Sequence, residues 1–127
     1  MNPSSKITDA EYKVMQVVWL LGTATSAQII QELEQTEAWS PKTVYTLIGR
    51  LVEKGALEIS RTQGRTHWYA AAVTREDYRR FASGTLLERL YDNSIKNMVA
   101  CFIKDRQITK EEIQQLRQLL DEDSSDE

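Results

Sequence analysis

The sequence predicts a mainly α-helical chain with one small β-hairpin: three short helices and the hairpin in the N-terminal half, helices alone in the C-terminal half. Three observations lead there. Apolar residues recur at helical spacing in six separate segments, start signals stand before several of them, and residues 57–70 switch to β-branched and aromatic types around a glycine.

Thr8-Asp9-Ala10-Glu11 is a capping box, and Tyr12, Val14, Met15, Val18, Trp19 and Leu21 then recur at helical spacing up to Gly22. Thr23 to Thr25 reads as a turn. Ser26 is the expected cap of a second helix through Glu34, with Ile29, Ile30 and Leu33 on its apolar side. Ser40-Pro41 is the clearest start signal, a hydroxyl cap followed by proline where a missing N–H costs nothing. The third helix it opens carries Val44, Leu47, Ile48, Leu51 and Val52 on one face and stops at Gly55. Leu57 to Thr62 and Thr66 to Ala70, separated by Gln63-Gly64-Arg65, predict a hairpin with a basic tip.

This order of three helices and a hairpin, with a helix–turn–helix at its centre, describes a winged helix-turn-helix domain over residues 1–72. Residues 73–122 form a helical domain. Thr74 to Asp77 starts a fourth helix that ends near Asp92-Asn93, Ser94 caps a fifth, and Thr109 to Glu112 is a second capping box opening a sixth. Helices this short make too thin a layer to bury their own apolar stripes, so pairing with a second copy is expected. The residues to be divided between internal packing and the partner include Leu86, Leu90, Ile95, Val99, Phe102, Leu116 and Leu120. Residues 123–127 are expected to be a disordered acidic tail.

Composition narrows the function. With 127 residues, 41% apolar and 28% charged, the chain suits one ordinary domain or two very small ones, with little room for separate cofactor and substrate domains. No run approaches the roughly 20 apolar residues of a membrane span, and no apolar segment follows the polar start, so a cytoplasmic location is expected. The single cysteine, Cys101, cannot form an internal disulfide and reads as a small buried hydrophobe. With the single histidine, His67, it cannot fill a four-ligand zinc site, so neither metal nor cofactor is expected. No glycine-rich phosphate loop, C-x-x-C or nucleophile–base spacing points to catalysis.

The net charge of −3 looks wrong for a nucleic-acid binder until it is divided along the chain. Residues 1–72 balance seven basic against seven acidic side chains, while residues 73–127 carry nine against twelve. Between Ala38 and Ala72 the balance is five basic to two acidic. Phosphate attraction is screened beyond about 8 Å at physiological salt, so the local sign matters more than the total.

The polar face of the third helix is the main candidate site. A helix in the major groove needs short or bidentate groups near its start to meet base edges and positive groups farther along to meet phosphates. Thr43 and Thr46 suit bases or a thymine methyl, Tyr45 an edge or a phosphate, Lys42 and Arg50 supply charge, and Gly49 permits close approach. Arg61 and Arg65 near the hairpin tip suit the phosphate backbone or a minor groove. Taken alone, the helix pattern fits a solvated face equally well; the two features together favour double-stranded DNA. Trp19, Trp39 and Trp68 read as structural.

Several stretches also resemble the penicillinase-repressor family, BlaI/MecI/CopY. They are Ile7 to Tyr12 with Val14-Met15 and Val18-Trp19, Trp39 to Val44 with Thr46 to Leu51, Lys54-Gly55, and Glu111 to Ile113 with Leu116-Arg117. The resemblance implies a homodimeric repressor whose winged helix reads a palindromic TACA/TGTA-type operator and whose C-terminal helices dimerise. It places Lys42, Thr43, Tyr45 and Thr46 on the base-reading face and Arg50 on phosphate. Tyr45 departs from the basic residue common in the family.

In β-lactam-responsive members an inducing protease cuts an Asn-Phe bond, and the matching candidate bond here is Cys101-Phe102, which keeps the Phe but not the Asn. The cysteine cluster of copper-responsive members has no counterpart here, yet Thr46 to Leu51 resembles the copper branch more than the β-lactam branch, so the resemblance leaves the inducing signal open. The rival from another class is a winged-helix protein-interaction module without sequence-specific DNA binding.

Overall fold

The computed structural model describes residues 3–125. After a short 3-10 turn, helix α1 (Asp9–Leu21) opens on the expected capping box: Thr8 accepts the Glu11 N–H at 3.2 Å and Glu11 accepts the Thr8 N–H at 2.9 Å. Strand β1 (Thr23–Thr25) follows, then α2 (Ser26–Leu33), α3 (Pro41–Glu53), β2 (Leu57–Gln63) and β3 (Thr66–Ala71). Three helices complete the described chain: α4 (Arg75–Tyr91), α5 (Ile95–Lys104) and α6 (Lys110–Ser125). It is the mainly helical, winged helix-turn-helix architecture expected, with a three-stranded sheet.

The third strand was not foreseen. Thr23–Thr25, read as a turn, pairs antiparallel with β3, Thr23 opposite Ala70 and Thr25 opposite Trp68, giving the order β1-β3-β2. Two β-branched residues around a small one suit an edge strand, but three residues are too few for a periodic signal. Pairing also moves the start of α2. Thr25, still extended at φ −82°, is the cap in place of Ser26, and it and Gln28 form a reciprocal capping box.

One core holds these elements together. Val14, Met15 and Val18 of α1 pack with Ile29 of α2, Val44, Ile48 and Leu51 of α3, Ala24 of β1 and Leu57 of β2, all at most 3% exposed. The end of α3 is closed by a Schellman motif. Gly55 takes φ +82°, its N–H reaches the Val52 carbonyl, and the Ala56 N–H reaches Leu51 at 2.9 Å. Trp19 donates its indole N–H to the Val73 carbonyl at 2.9 Å and meets Tyr12 and Tyr78, whose rings stack 5.0 Å apart.

The chain divides into two compact units, one through Ser83 and one from Gly84. The division falls later than the boundary after residue 72 because the first turns of α4 pack on α1 through Tyr78. In the second unit no residue of α5 is buried, and Leu90, Ile95, Leu119 and Leu120 are each more than 60% exposed. Cys101, expected to be buried, is exposed, because α5 turns it away from its apolar stripe. Residues 123–125, expected in the disordered acidic tail, are helical instead. Helix α6 runs to Ser125, since extending a formed helix adds a hydrogen bond per residue at little cost; residues 126–127 lie outside the described residues. Among the described residues no helix is long and apolar enough to cross a membrane.

Candidate nucleic-acid interface

Ser40 caps α3 by accepting the Thr43 N–H at 3.2 Å, and Pro41 fills the first turn, so the helix starts where the sequence indicates. Its two faces separate cleanly. Val44, Leu47, Ile48 and Leu51 are buried, while Lys42, Thr43, Tyr45, Thr46, Gly49 and Arg50 are all exposed. The second helix of the helix–turn–helix thus presents a polar ridge whose every core contact is made by the other face.

The hydroxyls on this ridge are not all equivalent. Thr46 Oγ1 donates to the Lys42 carbonyl at 3.0 Å, so its only proton is spent on the helix itself. What remains for a partner is a methyl group and oxygen lone pairs. Thr43 Oγ1 lies 3.1 Å from Ser40 Oγ, tying it to the cap. Tyr45, 55% exposed, has no such tether among the described residues.

The wing supplies the second group of cations. Gly64 takes φ +61° in the two-residue turn between Gln63 and Thr66, putting Arg65 at the tip. A bulge between Ile59 and Arg61 shifts the register, so that Ile59 faces Tyr69 while Arg61 faces Trp68. The Arg61 guanidinium lies over the Trp68 ring, 3.9 Å from its centroid. His67 stays within the wing, its Nδ1 2.9 Å from Thr62 Oγ1.

Charge counting overstated the basic side chains on offer. Lys54, one of the five between Ala38 and Ala72, is paired with buried Glu11 at 2.6 Å. Lys42, Arg50, Arg61 and Arg65 are exposed, and among the described residues none has a carboxylate within ion-pair distance. Also among the described residues, no group of three His, Cys, Asp or Glu side chains could hold a metal. The expected dimerisation residues Leu86, Leu90, Ile95, Leu116 and Leu120 are exposed, while Val99 and Phe102 are half-buried. Sequence reasoning missed the Glu11–Lys54 pair, the partners being 43 residues apart, and the outward setting of Trp68.

Residues 7–122 match a family model described as penicillinase repressor. The chain is 37% identical over 122 residues to the penicillinase repressor of Bacillus licheniformis, covering 96% of this chain and 94% of that one. It is 29% identical to the methicillin resistance regulatory protein MecI of Staphylococcus aureus strain N315, with 94% and 96% covered. Among solved structures it is similar to the DNA-binding domain of the repressor BlaI, with TM-score 0.54 and 38% identity, covering 61% of this chain and 94% of that one. It is also similar to Bacillus licheniformis BlaI, monomeric and in complex with the blaP half-operator, with TM-score 0.51 and 40% identity over 57% and 88%.

Proposed function

This chain belongs to the penicillinase repressor family of non-enzymatic, winged-helix DNA-binding regulators, and on that premise we propose that it is a homodimer that occludes a promoter by reading a palindromic TACA/TGTA-type operator. The observation that carries the reading is the exposed ridge of α3, whose core-facing side is fully used while Lys42, Thr43, Tyr45, Thr46 and Arg50 face outward. The similarity to BlaI bound to its half-operator supports α3 as the element that enters the major groove. Lys42, Thr43, Tyr45 and Thr46 then meet bases near the helix start, Arg50 holds a phosphate, and Arg61 and Arg65 of the wing flank them.

A palindrome calls for two-fold symmetry, and the second unit supplies an apolar surface suited to it. Leu90, Ile95 and Leu120, each more than 60% exposed, favour a second copy of the chain as their cover. Release follows loss of that pairing. Cleavage by an inducing protease at Cys101-Phe102 requires α5 to open first, because both carbonyls accept backbone N–H bonds, from Asp105 at 3.0 Å and Gln107 at 2.9 Å.

Binding to a duplex carrying the TACA/TGTA palindrome, against a scrambled duplex of equal length and at two salt concentrations, tests the reading. Operator affinity is expected to exceed scrambled affinity and to fall roughly 10³-fold between 50 and 200 mM salt. Equal, weak binding to both duplexes moves the function to protein interaction.

A further inference from the structure

Strand alternation splits the sheet into two faces. Ala24, Leu57 and Tyr69 share the face packed on the helices, with Ala24 and Leu57 at most 2% exposed. Trp68, next to Tyr69, therefore lies on the other face, beside Thr25 and away from the core. The half-exposed indole there is not among the residues packed against the buried core.

Its neighbour across the strand explains it. Without the bulge, Arg61 would share the inner face with Leu57 and Ile59; the extra residue, Ser60, turns it onto the Trp68 side. Ser60 anchors that geometry by donating its hydroxyl to the Trp68 carbonyl at 3.1 Å. The guanidinium then lies on the indole, 3.9 Å from the ring centroid, and among the described residues no carboxylate pairs with it. A guanidinium held by its face keeps its edge N–H groups free, and that edge matches two phosphate oxygens. Stacking also fixes in advance the rotamers an arginine would otherwise lose on binding.

We propose that Arg61 and Trp68 form a preorganised clamp on the DNA phosphate backbone, in which Arg61 makes the contact and Trp68 is the positioning residue. The inference rests on the DNA-binding reading of α3 and adds to it a residue with no charge. Arg65, on the turn itself, has no such platform among the described residues.

A double-mutant cycle on the full chain separates positioning from wing structure. Affinity for operator and scrambled duplexes is measured for the parent, Arg61→Ala, Trp68→Leu and the double variant, with circular dichroism as the check on folding. Trp68→Leu is expected to weaken binding roughly 3- to 10-fold when Arg61 is present and to change nothing when it is absent. Trp68→Phe, which keeps a ring under the guanidinium, restores most of the loss, and Arg61→Lys, which keeps only the charge, does not. Replacing single backbone linkages by neutral methylphosphonates is expected to reveal one position per half-site that weakens the parent but not Arg61→Ala or Trp68→Leu.

An equal loss from Trp68→Leu with and without Arg61 overturns the clamp. So does a methylphosphonate scan that the parent and both variants answer alike. Parent binding that does not distinguish operator from scrambled duplex overturns the operator reading instead, and the cycle on either duplex still decides the clamp. A parent that binds neither duplex overturns both.

Discussion

Lys54 Nζ lies 2.6 Å from one carboxylate oxygen of Glu11 and 2.8 Å from the other, tying the residue just past the end of α3 to the first turn of α1. Glu11 is only 1% exposed, and the oxygen nearer Lys54 also accepts the Thr8 N–H that completes the α1 capping box. One carboxylate therefore fixes both the start of α1 and the far end of the helix proposed to read DNA. Burial alone would raise its pKa. The Lys54 and Thr8 hydrogen bonds, with the Lys54 charge, outweigh burial and hold the group below its ordinary 4.5.

The first prediction follows from that direction. A carboxylate whose folded pKa is depressed contributes stability that is present above its unfolded value, here 4.5, and is lost as pH falls through the folded value. Chemical denaturation followed by circular dichroism from about pH 7 to pH 3 is expected to show this loss. At neutral pH, Glu11→Gln should cost about 2–3 kcal/mol, less than a fully buried pair because the Lys54 side chain is 25% exposed. The variant's stability should also depend less on pH than the parent's. A variant with unchanged acid sensitivity would assign that sensitivity to other groups.

Thr46 supports a second prediction, on base recognition. Because its hydroxyl proton goes to the Lys42 carbonyl at 3.0 Å, the methyl group is its natural contact with a thymine. Thr46→Val keeps the methyl and is expected to retain operator preference, whereas Thr46→Ser removes it and loses preference, with Thr46→Ala costing on the order of 1–3 kcal/mol. Arg50→Ala should weaken operator and scrambled duplexes alike. Competition binding with both duplexes measures each effect. A serine variant that outperforms valine would give the contact to the oxygen.

Much of this was legible in local patterns. Ser40-Pro41 and the apolar face of α3 placed the helix and its exposed ridge, because caps and 3.6-residue periodicity are encoded over a few neighbouring positions. β1 was not legible, since a three-residue strand is defined by its partner β3 rather than by its own composition. The Arg61–Trp68 stack depends on a one-residue register shift that no alternation pattern announces. Lys54 looked like part of the DNA-facing charge, and only the tertiary structure brings it to Glu11.

The third prediction concerns the apolar surface of the second unit. Leu90 is 65% exposed, and a leucine left in water forgoes about 2 kcal/mol of burial. If a second copy covers it, Leu90→Asp places a charge in that interface. Sedimentation equilibrium at micromolar concentration is expected to show a dimer for the parent and a larger monomer fraction for the variant. The thermal transition of the first unit should stay in place, because its core lies in residues 14–73. A parent that is monomeric under these conditions would remove the basis for palindrome recognition.

Gly49 separates stability from binding in a single substitution. It lies within α3 on the exposed ridge, and a Cβ built there meets nothing within 4 Å. Within the protein alone, alanine is therefore the better residue, stabilising the helix by roughly 1 kcal/mol through reduced backbone freedom. A helix seated in the major groove changes the balance, because the space over Gly49 is then occupied by DNA and a methyl group holds the helix away from it. Gly49→Ala is thus expected to raise the melting temperature by a few degrees while lowering operator affinity roughly tenfold. A variant that gains stability and binds the operator as the parent does would mean that DNA does not approach α3 closely at this turn.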